Sequence, residues 1–195
     1  MTRYYHERFF SDIRNTTLLV LGLLVVGWAG IEEAFLLVPV ATLLGGNQTA
    51  FDASYLLFAR HYAARLETDL NAGVRNKVLV GADLEDRYLY PLNERKLVTA
   101  HLGSGFSWFG WMTLLYTLSG ALAFGSGIAL GWPVLVVAGT GWQAFYSAAI
   151  GVIAAASLVI GGWWFVGGAG ERRLRQVLDE EFGQTVTNSN HSITT

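Results

Sequence analysis

The chain contains no cysteine. That excludes disulfides, cysteine-ligated iron–sulfur clusters, thiolate zinc sites and a cysteine nucleophile. Charge is scarce as well: 14% of the 195 residues are charged, against about 25% in soluble domains. Proline occurs only three times, so long helices meet few breakers. The net charge of −2 supplies no basic face for nucleic acid. Apolar residues fill the gap: 52% of the chain is hydrophobic, the mean hydropathy is +0.38 and there are seven tryptophans. This is a membrane-class composition.

Three charge-poor stretches cover residues 16–46, 106–130 and 143–166. The second and third each hold about two dozen residues, enough for a helix to cross a hydrocarbon core of about 30 Å. Trp108 and Trp111 sit at one end of the second stretch, and Trp132 lies just past the other. Trp142 opens the third stretch, and Trp163 and Trp164 close it. Indole rings favour the headgroup level, so these positions read as two aromatic belts.

The first stretch carries Glu32 and Glu33 almost at its centre. One straight helix over it would be about 46 Å long and would bury both carboxylates, at a cost of a few kcal/mol each. A helical hairpin places them at a water-exposed turn instead. The basic residues choose between these. All 13 lysines and arginines fall in three groups. Arg3, Arg8 and Arg14 precede the first stretch. Arg60, Arg65, Arg75, Lys77, Arg87, Arg95 and Lys96 lie between the first and second. Arg172, Arg173 and Arg175 follow the third. Basic segments stay cytoplasmic, and one compartment for all three requires an even number of crossings on each side of the central segment. The apolar run resumes after Glu33, which argues against a cleaved leader.

The expected fold is therefore an all-α integral membrane protein of the cell membrane, with both termini cytoplasmic. Two transmembrane helical hairpins supply four helices, and a cytoplasmic insert carries an amphipathic helix. The first hairpin is short, because residues 16–30 and 34–46 reach only about 22 and 20 Å. It spans fully if the first limb borrows residues 9–15 and the second continues past Gly46; otherwise it is re-entrant. The expected divisions are an interfacial segment (1–15), the first hairpin (16–46), the insert (47–104) and the second hairpin (105–166). A cytoplasmic amphipathic helix (167–183) and a disordered tail (184–195) complete the chain.

Within the insert, Phe51, Tyr55, Phe58, Tyr62, Leu66 and Leu70 recur at three- and four-residue steps, as on one helix face. Thr49 and Asp52 have capping-box spacing, and Asn71 begins a plausible stop. Residues 78–80 suggest a brief strand, and Pro91 breaks any helix.

Chemical candidates are few. Asp83, Glu85 and Asp86 form the densest acidic cluster, which offers oxygen ligands for Mg2+ or Ca2+ and otherwise forms ordinary ion pairs in a solvated loop. His6, His61, His101 and His191 show no helical metal-pair spacing. Glu32 and Glu33 would ring a pore mouth if several copies assembled, but a hydrated turn accounts for them alone. Ser119, Ala123, Gly127 and Gly131 recur every four residues, as do Ser147, Gly151 and Ala155. Small residues let helices approach closely in lipid, so these stripes are expected to join the two long helices, or else to meet another subunit. GSGFSWFG, residues 103–110, follows no strand and is no phosphate loop. Asn15, Asn47 and Asn190 match glycosylation acceptors, all on the expected cytoplasmic side.

No cofactor is indicated. The bilayer, together with a protein partner or a second copy, is the expected partner. The composition favours a non-enzymatic accessory, scaffolding or regulatory subunit. The alternatives are a homo-oligomeric channel or small-solute transporter, with Glu32 and Glu33 at its mouth, and a membrane-interface enzyme built on Asp83, Glu85 and Asp86.

Overall fold

The computed structural model describes residues 2–74, 79–81, 84 and 108–191, with the backbone alone for 2–6, 108–109 and 181–191. It is built from α1 (Thr2–Trp28), α2 (Ala34–Val74), α3 (Trp108–Ala138), α4 (Thr140–Gly161) and α5 (Ala169–His191). A π-helical turn, Gly162–Val166, extends α4. Four segments are long and apolar enough to cross a membrane: Glu7–Trp28, Ala34–Val74, Gly110–Ala138 and Thr140–Val166. No strand occurs among the described residues, and Leu79 and Val80 are neither helix nor strand.

The turn after α1 is built on Gly30, whose φ of +109° suits a residue without a Cβ. Its amide donates back to Gly27 O at 3.2 Å, which closes the end of α1. The carbonyls of Glu32 and Glu33 then accept the amides of Phe35 and Leu36, both at 3.1 Å. Two carboxylates at the start of α2 also complement the positive end of its dipole. α2 returns along α1 with opposite direction. Thr16 packs on Gly45 and Phe35 on Gly27, two places where a glycine lets the neighbouring side chain reach the backbone.

α2 is the hub, packed on α1, α3 and α4. Against α3 the approach is close. A Cβ at Gly127 would lie 2.7 Å from Pro39 Cδ and 2.8 Å from Val38 Cβ, and one at Gly131 would lie 2.7 Å from Leu36 Cδ2. Against α4 the fit is polar. Tyr146 Oη donates to Leu36 O at 2.8 Å, Asn47 Nδ2 donates to Ser157 Oγ at 2.9 Å, and Trp164 Nε1 donates to Ser54 Oγ at 3.2 Å. Each bond joins residues 110 positions apart, so α2 and α4 run parallel in one fixed register. Large apolar side chains also cover the outside, including Leu18, Leu122, Val137, Val152 and Leu158.

Several boundaries differ from the sequence expectation. α2 does not stop at Gly46; it runs unbroken for 41 residues into the amphipathic stretch. Thr49 is therefore in mid-helix, where its hydroxyl donates to Gly45 O at 2.8 Å, and no free amide awaits a cap. Asn71 lies inside α2, which is described as far as Val74, and its side chain bonds both Leu79 N and Leu79 O, at 2.9 and 2.7 Å. α3 passes through Pro133 to Ala138, and the gap between the second and third apolar stretches shrinks to Gly139 at φ +105°. α5 continues through Gly183 to His191, with no proline to end it.

Candidate functional site

The side chains named from the sequence scatter. Glu32 and Glu33 are exposed in the turn between α1 and α2. Asp83, Glu85, Asp86 and His101 lie outside the described residues. His61 is half-buried and its Nδ1 lies 2.9 Å from Leu57 O on its own helix. Among the described residues no three acidic, histidine or cysteine side chains come together as a metal site.

The small-residue stripes do not meet each other. On α3, Gly127 and Gly131 are buried against α2, Ala123 is half-buried and Ser119 exposed. On α4, Ser147, Gly151 and Ala155 are all exposed, with nothing within 4 Å of a Cβ built at Gly151. Ser147 and Gly151 instead face Phe124, Ile128 and Trp132 of α3 across a groove of about 310 Å³ that Tyr146 and Ile150 also line. Bulk on the α3 side holds the two backbones apart, whereas α2 offers α3 the flat surface around Pro39.

The densest polar constellation in the described structure joins α1 to α2. Gln48 Nε2 lies 3.4 Å from Asp12 Oδ2 and 3.3 Å from Asp52 Oδ2. Arg8 Nε lies 3.6 Å from Asp52 Oδ1. Asp52 is only 4% exposed, and Arg60, two turns further on, is equally buried. A buried carboxylate needs such partners, because an uncompensated one costs several kcal/mol. Nearby, Tyr116 Oη of α3 donates to Ile13 O at 2.8 Å and lies 3.0 Å from Thr17 Oγ1, which docks a third helix at the same level.

Sequence reasoning missed this cluster by pairing Asp52 with Thr49 in a capping box. A signal was present. Once the chain reverses at Gly30, residues equally distant on either side face one another. Arg8 then falls opposite Asp52, and Asp12 opposite Gln48.

At the other end of α4, Gly167 N–H donates to Gly162 O at 2.8 Å and closes the π-helical turn. That turn aims Trp164 at Ser54. A Cβ at Gly170 would lie 2.7 Å from the same indole, so α5 starts hard against it. Arg65 Nη1 and Asp179 Oδ1, 3.8 Å apart, hold α5 to the far part of α2.

No family model, curated protein or solved structure matches the chain.

Proposed function

We propose that this protein is a non-enzymatic subunit of a larger membrane assembly, which it scaffolds or regulates. Its four apolar segments form two hairpins that span the cell membrane. The charge-free stretches 15–31 and 34–51 make the first pair, with both termini and the insert in the cytoplasm. The observation that carries this reading is the use made of polar side chains between helices. Tyr146, Asn47, Trp164, Tyr116 and Gln48 each bond another helix. Such bonds fix a rigid bundle, whereas a transport path or proton relay within lipid would want ionisable groups along it. The exposed Phe51, Tyr55, Phe58 and Tyr62 on the far part of α2 and the amphipathic α5 then present surfaces for the rest of the assembly.

Purification in a mild detergent, with identification of co-eluting chains, tests this. A stoichiometric heteromeric complex is the expected outcome. A discrete ring of identical chains that conducts ions in vesicles, and stops when Glu32 and Glu33 are neutralised, would replace this reading with a channel.

A further inference from the structure

Phe124, Ile128 and Trp132 follow one another at four-residue steps and form a single ridge along α3. The ridge faces Ser147 and Gly151 of α4 across a groove of about 310 Å³. It rises about 12 Å along the helix, so the groove has a mean cross-section of roughly 26 Å². A helix about 10 Å across needs roughly three times that area, whereas a single extended hydrocarbon chain fits. Nothing lies within 4 Å of a Cβ built at Gly151, which leaves the groove open along its middle. Two contacts fix its depth. A Cβ at Gly131 would lie 2.7 Å from Leu36 Cδ2, and Tyr146 Oη donates to Leu36 O at 2.8 Å. Trp132 and Tyr146 therefore stand at the level of Leu36, about one helical turn from Glu33. From there the groove descends through most of one leaflet, which is about half of a hydrocarbon core of about 30 Å. Charge at its mouth has one sign. Glu32 and Glu33 are exposed in the turn, and residues 15–51 and 108–170 contain no lysine or arginine. Trp132 and Trp142 are exposed at the same end. Carboxylates and indole faces attract an ammonium group, and carboxylates repel a headgroup of net negative charge.

We propose that this groove binds one acyl chain of a phospholipid whose headgroup carries an ammonium group, in the leaflet at the end of the bundle formed by residues 29–33 and Gly139. The α3 ridge and the open strip at Gly151 take the chain, while Glu32, Glu33 and the indoles take the headgroup. The bound chain completes the packing of α3 on α4 where large side chains keep their backbones apart. The inference rests on the bundle's crossing a bilayer and not on the partner proposed above.

The full chain in lipid vesicles tests this with two photoreactive phospholipids that share one diazirine-bearing acyl chain, one with an ethanolamine and one with a glycerol headgroup. Residue-level mass mapping should find the ethanolamine probe on Phe124, Ile128 or Ile150 several-fold more than on the exposed Leu18 or Leu158. The glycerol probe should label the groove several-fold less. Gly151→Leu and Ser147→Leu should each fill the groove and abolish its labelling, and either carries the comparison if the other fails to fold. Neutralising the turn with Glu32→Gln and Glu33→Gln together should equalise the two probes. Labelling spread evenly over the lipid-facing helices, or retained in the Leu variants, overturns the site. A groove that neither probe reaches is covered by protein, which overturns the lipid as its occupant. Equal labelling by both probes in the wild type overturns the headgroup assignment. Release of the protein from the vesicles by alkaline carbonate would overturn the membrane-spanning reading and this site with it, whereas the other results leave that reading intact.

Discussion

Gly127 and Gly151 have the same residue type in the same kind of helix, yet their surroundings assign them opposite roles. The nearest atoms to a Cβ at Gly127 belong to Pro39 and Val38, side chains that are fully buried and cannot swing away. Gly127→Leu is therefore expected to destabilise the bundle by about 1–3 kcal/mol, the usual cost of overpacking. Gly151→Ala meets open space and should fall within about 0.5 kcal/mol of wild type. Reversible unfolding in mixed micelles reads both. Equal effects would mean that α3 does not lie on α2 as described. A second residue-scale case is Tyr146. Pro39 has no amide hydrogen for the carbonyl four residues earlier, so the first turns of α2 are loosely bonded. Tyr146 donates to Leu36 O, one residue past the carbonyl that Pro39 leaves without an amide, and so ties this part of α2 to α4. Tyr146→Phe should cost about 0.6 kcal/mol in the same assay, the typical value for a hydrogen bond between helices in lipid.

At the scale of elements, the continuity of α2 is the main departure from what the pattern suggested. Gly45 and Gly46 look like a stop, and Thr49 with Asp52 looks like a new start. In the folded chain the glycine pair is a contact surface: Thr16 packs on Gly45, which could carry no side chain without displacing it. Tertiary packing overrides the local signal. Thr49→Ala separates the two cases. A lost N-cap costs about 1 kcal/mol, whereas loss of the mid-helix bond to Gly45 O should leave stability unchanged or slightly improved. Spin labels at Thr42 and Leu70 give a geometric check, since one straight helix separates them by roughly 42 Å. A much shorter distance would restore the break.

The same comparison shows what could be read in advance. The four apolar helices and the turn at Glu32 and Glu33 follow from hydropathy and from the placement of arginine and lysine, both of which act over whole segments. The partners of Asp52, Gly45 and Gly127 depend on which face of one helix meets another, and composition does not encode that. Only the mirror symmetry about Gly30 carried such information, and it covers α1 and α2 alone.

For the whole molecule, helix directions impose a constraint stronger than charge counting. α1 opposes α2, α2 opposes α3, and α2 runs parallel to α4 through three bonds with one common offset of 110 residues. The turn at residues 29–33 and the turn at Gly139 must then lie at the same end of the bundle, whichever way the bundle faces. The absence of cysteine makes this measurable without background, because any introduced thiol is the only one. In intact cells, Glu33→Cys and Trp142→Cys should both react with an impermeant maleimide, while Arg173→Cys, exposed at the other end, should react only after permeabilisation. If residues 33 and 142 are labelled from the cytosol and residue 173 from outside, the bundle stands and the orientation inferred from basic residues is inverted. If residues 33 and 142 are labelled from opposite sides, the parallel packing of α2 and α4 is wrong, and with it the shared bundle on which the polar links between helices depend.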